Sequence, residues 1–434
     1  MTDDRRFLPS ARSRIFRLGV LLGLVTLGMT AVPTIAQTNR AAVPSPGVVD
    51  GSYIVTLAAG NDPSRVAPAM AAEYGGRAPH VYQRALPGFS FQGSADGAAR
   101  LARDPKVRTV VPDRRVTTTA QTVPTGIRRI DGPLSGTVSG NGGGAVDVDI
   151  AVIDTGIDLH HPDLNVVGGV NCSTGTGYDD ANGHGTHVAG IAAAKDNGIG
   201  VVGVAPGARL WAVRVLDASG AGGWSSVICG IDWVTAHASE IEVANMSLAG
   251  PGTQGSCDDG ALREAICKSV ESGVTYVVAA GNSSVDVAGQ VPASFPEVIT
   301  VSALADYDGL PGGVGKVTCE AEGNDDTLAS FSNYGAGVDL IAPGVCITST
   351  WKGGGYKTAS GTSMASPHVT GAAALYLSDH PVKSPAAVAT ALTAAGNLLW
   401  NAAGDRDKRK ETLLNVDGLV GTTRSATTRG FGRA

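Results

Sequence analysis

The sequence predicts an α/β protein: a parallel sheet flanked by helices, preceded by a small α+β unit. Apolar strand patterns and helix patterns alternate from residue 147 onward, and this is the first of two observations that support the prediction. Such alternation favours parallel strands covered by helices on both faces. We expect strands near 147–153, 209–215, 243–247, 275–280 and 298–303, and helices near 184–194, 225–236, 260–272 and 363–378.

The second observation is the order of elements in residues 51–118. The order is β-α-β-β-α-β, which is typical of a ferredoxin-like sandwich. We therefore expect this part of the chain to be the small α+β unit. The apolar spacing and turn residues predict a strand at 52–57, a helix at 64–74, strands at 80–84 and 88–92, a helix at 95–103 and a strand at 107–112.

Net charge differs between the two parts of the chain. Residues 37–121 hold ten basic and six acidic residues, whereas residues 122–434 hold 18 basic and 31 acidic residues. The resulting charges of +4 and −13 favour attraction between the two parts, although scattered surface charge would give similar values. With 43% hydrophobic and 17% charged residues, the composition is that of a globular protein.

The N-terminus has the pattern of an export signal. Five arginines precede the uncharged, largely apolar stretch 18–36, which ends on a small residue. A retained signal anchor is the alternative, but Pro33 and the short apolar part disfavour a spanning helix. We therefore expect residues 1–36 to be a cleaved signal peptide, with no stable membrane span elsewhere and a secreted product. Residues 419–434 lack apolar periodicity and are expected to form a flexible tail.

All six cysteines lie within residues 122–418. An even number in an exported chain favours three disulfides, and buried free thiols are the alternative. Six cysteines allow 15 pairings, among which the sequence does not choose. As a working hypothesis we pair Cys172 with Cys229, Cys257 with Cys267, and Cys319 with Cys346.

Three side chains of complementary chemistry occur in the order Asp154, His184, Ser363. A serine hydroxyl is a poor nucleophile near neutral pH, so it needs an imidazole to accept its proton and a carboxylate to orient that imidazole. Asp154 closes an apolar strand pattern, and Ser363 stands between a glycine turn and an apolar helix pattern. These positions suit a catalytic site at the carboxyl ends of parallel strands.

Three segments around these residues carry a resemblance to a known family. Residues 151–158 are Ala-Val-Ile-Asp-Thr-Gly-Ile-Asp, residues 183–190 are Gly-His-Gly-Thr-His-Val-Ala-Gly, and residues 361–367 are Gly-Thr-Ser-Met-Ala-Ser-Pro. They resemble the signature segments of the subtilisin-like serine proteases, or subtilases, and stand in the same chain order. The resemblance covers residues 122–418 and implies a subtilisin-like peptidase domain.

A weaker resemblance covers the preceding segment. Residues 53–55, 86–89 and 104–107 stand where the pattern of a subtilisin propeptide would place them. This resemblance implies that residues 37–121 form a propeptide that serves as folding chaperone and inhibitor. The polar residues 116–122 are then the expected cleavage junction.

The resemblance also assigns residues around the nucleophile. Asn282 matches the family's oxyanion asparagine and would act with the backbone N–H of Ser363, although Gly-Asn after a strand is often only a turn. Ala249 stands where the family usually has glycine, so its methyl group is expected to narrow the primary specificity pocket. Small residues leave backbone edges open to an extended peptide, or simply form turns; the expected substrate-binding residues are Gly220, Gly222, Ser247, Leu248, Ala249 and Gly281.

A structural calcium ion is the expected cofactor. Residues of the 195–201 loop, together with one upstream carboxylate, resemble an oxygen-rich calcium site of the family, and oxygen ligands suit this hard cation. An empty polar loop is the alternative, and Lys195 would contribute only its carbonyl. The expected ligands are Asp163, Lys195, Asn197, Ile199 and Val201.

These observations predict a secreted serine endopeptidase that is made as a self-processing zymogen. Its expected partners are protein and peptide substrates and its own propeptide, with no nucleic acid, and it is expected to be a monomer. An esterase of the α/β-hydrolase type would need Gly-x-Ser-x-Gly and the order Ser, acid, His, neither of which occurs here. The remaining alternative is a secreted pseudoprotease or peptide-binding protein on the same scaffold.

Overall fold

The computed structural model of the chain describes residues 48–114, 121–320, 322–382 and 384–420. The chain divides into two compact units, residues 1–116 and residues 117–434, which are described separately. The expected signal peptide, most of the expected cleavage junction, and all but the first two residues of the expected tail lie outside the described residues.

The first unit has the predicted β-α-β-β-α-β order. Its antiparallel sheet has the strand order β2-β3-β1-β4, as in a ferredoxin-like sandwich. The helices cover one face, where Leu57, Phe89 and Phe91 are fully buried. The elements are β1 (Val48–Leu57), α1 (Pro63–Glu73), β2 (Val81–Tyr82), β3 (Gly88–Gln92), α2 (Ala95–Leu101) and β4 (Val107–Arg114).

The second unit alternates strands and helices along most of its length. Every strand and helix predicted here is present, with ends that differ by no more than two residues. The elements are α3 (Thr125–Arg129), β5 (Asp149–Asp154), β6 (Val166–Asn171), α4 (His184–Ala193), β7 (Arg209–Arg214), α5 (Trp224–Ala236), β8 (Val243–Met246), β9 (Gly250–Pro251), α6 (Ala261–Glu271), β10 (Thr275–Ala279), β11 (Gln290–Val291), β12 (Ile299–Ala305), β13 (Thr327–Leu328), β14 (Leu340–Pro343), β15 (Ile347–Trp351), β16 (Gly355–Ala359), α7 (Thr362–Asp379), α8 (Pro385–Ala395) and β17 (Thr412–Leu413).

The main sheet has the strand order β17-β14-β12-β10-β8-β5-β7-β6, and all of these neighbours pair in parallel; β13 adds an antiparallel pairing to β12. Successive side chains of a strand point to opposite faces. In β5, Ile150 and Val152 accordingly pack with α4 and α7, whereas Ala151 and Ile153 pack with α5 and α6. The predicted parallel sheet with helices on both faces is confirmed.

Strand β6 was not predicted, because its sequence Val-Val-Gly-Gly-Val-Asn contains two glycines that weaken a strand pattern. The fold explains both glycines. A Cβ on Gly168 would collide with the Trp211 ring, and a Cβ on Gly169 would collide with the carbonyl oxygen of Ala212 on the neighbouring strand. The glycines therefore allow β6 to approach β7 closely.

Helix α7 lies in the centre of the second unit. Of its 18 residues 14 are buried, as expected for a helix enclosed by its neighbours. Such a helix is held rigidly by packing, so the residue at its start has a fixed position.

Three disulfides join the cysteines as hypothesised: Cys172–Cys229, Cys257–Cys267 and Cys319–Cys346. They tie α5 to the residue after β6, α6 to the loop before it, and the residue before β15 to the loop between β12 and β13. Within the described ranges, the structure contains no helix that is both long and apolar enough to cross a bilayer.

Candidate active site

Asp154 and His184 form a direct pair at the carboxyl end of the sheet. Asp154 is the last residue of β5 and is fully buried, and His184 is the first residue of α4. The Nδ1 atom of His184 lies 2.8 Å from Oδ1 and 2.9 Å from Oδ2 of Asp154. Since a carboxylate can only accept, Nδ1 carries the hydrogen and Nε2 is left as the basic nitrogen.

Two glycines allow this pair to form. Gly183 has φ of 116°, a conformation that L side chains rarely adopt, and a Cβ there would collide with the Trp351 ring. A Cβ on Gly185 would collide with the carbonyl oxygen of Gly156. These glycines bring the start of α4 against the end of β5.

Asp180 anchors the start of α4 and was missed in the sequence. This buried carboxylate accepts hydrogen bonds from the backbone N–H groups of Gly183 and Thr186, at 2.8 and 2.9 Å, and from the Thr155 hydroxyl at 2.8 Å. It thereby satisfies otherwise unpaired N–H groups at the helix N-terminus. In the sequence, an aspartate two residues before Asn-Gly-His does not indicate this role.

The electrostatic environment of His184 favours its cation. Burial by itself lowers the pKa of His184, but the negative charge and hydrogen bond of Asp154 outweigh burial, and Asp180 adds to them, so that the pKa is raised above 6.5. The neighbouring His187 has no such partner. Burial lowers its pKa to about 4, and its Nε2 lies 2.9 Å from the carbonyl oxygen of Lys357, which indicates a structural role.

Ser363 is the second residue of α7, at an N-terminus without a side-chain cap. Gly361 precedes it with φ of 155° and ψ of 159°, a combination nearly restricted to glycine. The hydroxyl of Ser363 donates to the carbonyl oxygen of Ser247 at 3.3 Å, and the structure shows no hydrogen bond between Ser363 and His184. Catalytic hydrogen bonds often form only when substrate is bound, so this rotamer does not exclude a reacting pair.

Asn282 follows β10, and hydrogen bonds to its side-chain oxygen hold it in place. Its Oδ1 accepts from the backbone N–H and the hydroxyl of Thr362, both at 2.8 Å. This fixes the side chain at the start of α7 and leaves the Nδ2 amide as a donor beside Ser363. Asn333 supports the same loop, since its Oδ1 accepts from the N–H groups of Ser283 and Val285 at 3.0 and 3.1 Å.

A groove of about 620 Å³ runs beside His184, and a smaller cavity of about 220 Å³ adjoins Ser363. The Cβ of Ala249 faces Gly281 across the smaller cavity, 3.8 Å from where a Cβ at that glycine would lie. Trp224 lines the groove. All six expected substrate-binding residues line these spaces: Gly220 and Gly222 the groove, Gly281 the smaller cavity, and Ser247, Leu248 and Ala249 both.

A buried polar network, which sequence reasoning also missed, joins β8 to α7. The fully buried Asn245 accepts at Oδ1 from the hydroxyls of Ser366 and Thr370, each at 2.8 Å, and donates from Nδ2 to Ser247. Ser247 in turn donates to the carbonyl oxygen of Ser363 at 2.9 Å. The network fixes the backbone of Ser363 relative to Ser247.

Among the expected calcium ligands, Asp163 contacts Val201 and Lys195 directly. Asp163 is fully buried, and its Oδ2 accepts from Val201 N–H at 3.1 Å and from the Tyr356 hydroxyl at 3.2 Å. Its Oδ1 has no partner among the described residues, and burial raises its pKa. Asn197 turns its oxygen to the N–H of Ile199 at 3.0 Å, and Lys195 donates through its backbone N–H to the Asp163 carbonyl oxygen at 2.9 Å.

Gln121 completes this loop and was not predicted. Its Oε1 accepts from the N–H groups of Asn197 and Gly198, at 2.9 and 2.6 Å, and its Nε2 donates to Asp196 at 2.7 Å. Its backbone N–H donates to the Gly198 carbonyl oxygen at 3.1 Å. Gln121 is therefore part of the second unit, one residue before the expected start at 122.

Both units of the chain are similar to known proteins. The Subtilase family profile matches residues 146–422, and that of Peptidase inhibitor I9 matches residues 52–119. Subtilisin NAT of Bacillus subtilis subsp. natto is 42% identical over 307 residues, covering 69% of this chain and 73% of that protein. Subtilisin DY of Bacillus licheniformis is 41% identical over 299 residues, covering 69% and 98%.

Among solved structures, a cold-adapted subtilisin-like serine proteinase aligns with a TM-score of 0.52 and 34% identity, covering 71% of this chain and 94% of the other. The resemblance recognised in the sequence is thereby confirmed for both units. The chain belongs to the subtilase family of serine endopeptidases and carries an I9-type propeptide.

Proposed function

We propose that the chain is a secreted, self-processing endopeptidase whose catalytic residues are Asp154, His184 and Ser363. The observation that carries the proposal is the bidentate contact of buried Asp154 with Nδ1 of His184, beside two adjoining cavities of which one is lined by Ser363. The three disulfides and the N-terminal export pattern support secretion. One chain supplies every residue of the site, consistent with a monomer.

In the proposed mechanism, Nε2 of His184 accepts the Ser363 proton while Oγ attacks the scissile carbonyl carbon. The Ser363 hydroxyl must first turn from the Ser247 carbonyl oxygen toward the imidazole. Asp154 keeps the hydrogen on Nδ1 and stabilises the imidazolium. His184 then protonates the leaving amine, and water releases the acyl group by the same steps in reverse order.

Asn282 is proposed to stabilise the negative charge of the oxyanion that forms during the reaction. Because its oxygen is anchored by Thr362, its Nδ2 is preorganised to donate to the oxyanion, together with the Ser363 backbone N–H. The N-terminus of α7 adds its positive dipole end. A substrate is proposed to bind in extended form along 219–223 and 246–250, with the Ala249 methyl group favouring smaller side chains in the cavity next to Ser363.

The first unit is proposed to assist folding of the peptidase and then to inhibit it, as its match to the I9 inhibitor family suggests. We place the cleavage ahead of Gln121, because its backbone and side chain bind the 196–198 loop of the second unit. Cleavage after Gln121 would separate these contacts from the mature enzyme.

The pH dependence of hydrolysis tests the role of His184. Only the neutral imidazole accepts the serine proton, and Asp154 raises the pKa of His184 above 6.5. We therefore expect kcat/KM for a peptide substrate to fall as pH drops, with its acid limb centred above pH 6.5. In Asp154→Asn, the negative charge of Asp154 no longer opposes the effect of burial on the pKa of His184. The acid limb should therefore move to lower pH, and kcat should fall by about 10⁴. An unmoved limb with near wild-type kcat would refute the pairing.

Calcium is the proposed structural cofactor. Asp163 fits such an ion, because a fully buried carboxylate oxygen without a partner is costly unless a cation neutralises it. The side chain of Asn197 and the carbonyl groups of Lys195, Ile199 and Val201 would hold the ion with it, and Gln121 is a further oxygen donor beside them. When bound, the ion would fasten the N-terminal segment to the 195–201 loop.

We expect calcium to raise the melting temperature of the mature, inhibitor-blocked enzyme. A ligand at 100 times its dissociation constant stabilises the folded state by about 2.7 kcal/mol. Asp163→Asn should lose much of this response, whereas Glu271→Gln, on the exposed end of α6, should keep it. Calorimetry in excess calcium and in chelator measures both. Equal responses of wild type and Asp163→Asn would contradict the site.

A further inference from the structure

Three acidic side chains converge in the loop between α8 and β17, which contains none of the proposed catalytic residues. Asp405, Asp407 and Glu411 each offer an oxygen, and the three oxygens all lie within 4.8 Å of one another. Glu411 immediately precedes β17, a strand at the edge of the main sheet. Neither the proposed mechanism nor the proposed site at Asp163 uses any of the three.

Most oxygens of these carboxylates are buried and lack partners. Asp405 is 6% exposed and Glu411 is 7% exposed. Neither oxygen of either side chain has a hydrogen-bond partner among the described residues, nor does Oδ2 of Asp407. Oδ1 of Asp407 accepts from the Arg409 backbone N–H at 2.9 Å. Five of six carboxylate oxygens are thus buried without a donor, which is costly for charged groups.

The basic side chains of the loop do not neutralise the cluster directly. Arg406 donates to the Ser284 carbonyl oxygen at 2.8 Å and stacks over Tyr334, and the Lys410 ammonium lies over the Trp400 ring. In the described part of the chain, no ion pair within 4.0 Å involves Asp405, Asp407 or Glu411. The charge of Arg409 acts on Glu411 only from a distance.

Without a cation, this arrangement opposes ionisation. Burial raises the pKa of Asp405, and the Asp407 charge adds to the effect. Burial also raises the pKa of Glu411 to about 7, with the charges of Asp405 and Asp407 acting in the same direction and Arg409 opposing them. Three carboxylates held together are a stable ionised group only if a positive ion lies between them.

We propose that Asp405, Asp407 and Glu411 bind a hard divalent cation, with calcium the best fit. Calcium binds carboxylate oxygens at about 2.3–2.6 Å and tolerates irregular coordination, so two ligands on opposite sides of the ion lie about 5 Å apart. The separations of up to 4.8 Å fit this size. The site shares no residue with the proposed calcium site at Asp163.

The cation would fasten the 401–411 loop to the body of the second unit. Trp400 donates from Nε1 to the Glu411 carbonyl oxygen at 2.8 Å, and the Asn401 N–H donates to the Asp326 carbonyl oxygen at 2.7 Å. These bonds hold the two ends of the loop. The ion would hold the middle of the loop, and thereby also the residues that lead into β17.

The test is calcium binding by mature enzyme that has been blocked with a serine-directed reagent and stripped of metal. Equilibrium dialysis with radioactive calcium counts the bound ions per chain. Asp407→Asn and Glu411→Gln should each bind one ion fewer than wild type, while Asp417→Asn, an exposed residue beyond β17, should bind the same number. Because the two sites share no ligand, Asp163→Asn should remove a different ion, and its loss should add to that of Asp407→Asn.

Stability in chelator provides a second readout. Removing one of three like charges should leave the melting temperature of Asp407→Asn equal to or above that of wild type, whereas in calcium the variant should melt lower. The proposal is overturned if both amide variants bind as many ions as wild type. It is equally overturned if Asp407→Asn melts lower than wild type in chelator, because the carboxylate would then stabilise the loop without an ion.

Discussion

Replacing Ser363 with alanine is expected to abolish peptide hydrolysis and to leave the precursor uncut. The substitution removes the Oγ nucleophile at the start of α7 and changes little volume, so the fold should persist. For the triad serine of a subtilisin, a relative of this chain, such a loss costs about 10⁶ in kcat. The variant should accumulate with residues 37–120 still attached, while wild type loses them without help. Mass spectrometry of the purified proteins, with a casein assay beside it, measures both effects.

Ser366→Ala provides the matched control for this variant. Ser366 lies three residues further along α7, is fully buried and donates to Asn245. Its loss removes one of the two hydrogen bonds that Oδ1 of Asn245 accepts and should lower stability, but Thr370 keeps the other bond. The link from Asn245 through Ser247 to the Ser363 backbone does not involve Ser366, so processing and hydrolysis should continue. Self-cleavage of purified Ser363→Ala at the wild-type rate, with no other protease present, would remove Ser363 from the role of nucleophile.

Removing the donor group of Asn282 is expected to lower kcat by about 10² to 10³ with little change in KM, the range known for the corresponding loss in a subtilisin. The amide is proposed to act on charge that develops only in the transition state, so substrate binding should be spared. Asn282→Asp is the sharper variant, because it keeps the acceptor that holds Thr362 and replaces only the donor. Its negative charge should make the loss in kcat at least as large as in Asn282→Ala.

Thr362→Val separates the anchoring of the Asn282 side chain from hydrogen-bond donation by its amide. It removes the hydroxyl that Asn282 holds and that accepts from Gly281 N–H, while leaving the Asn282 amide in place. We expect a smaller loss of kcat in this variant than in Asn282→Asp. If steady-state kinetics give Asn282→Asp a kcat within threefold of wild type, the oxyanion is stabilised elsewhere.

The sheet, and the positions of Asp154 at a strand end and of Ser363 at a helix start, were predictable because their signals are local. A buried strand that ends on Asp154, and a glycine turn before an apolar helix at Ser363, each place the side chain within one segment. The lining of the two cavities was predictable for the same reason, since small residues near a strand end leave the backbone accessible.

The supporting residues were not predictable because their partners are distant in the sequence. Asn245 binds hydroxyls 121 and 125 residues further on, and Asn333 supports a loop about 50 residues before it. Gln121 meets its loop 75 to 77 residues later. An isolated Asn or Gln has many possible roles, and only the fold selects one.

The proposed role of Ser363 is tested most directly by labelling the mature enzyme with a radioactive organophosphate that reacts with activated serines. We expect one label per chain, carried on the peptide that contains Ser363, with hydrolysis lost in proportion to labelling. His184→Ala should slow labelling by orders of magnitude, because the hydroxyl then lacks its base. Hydrolysis that persists after Ser363 is fully labelled, or inhibition with the label on another residue, would contradict the assignment.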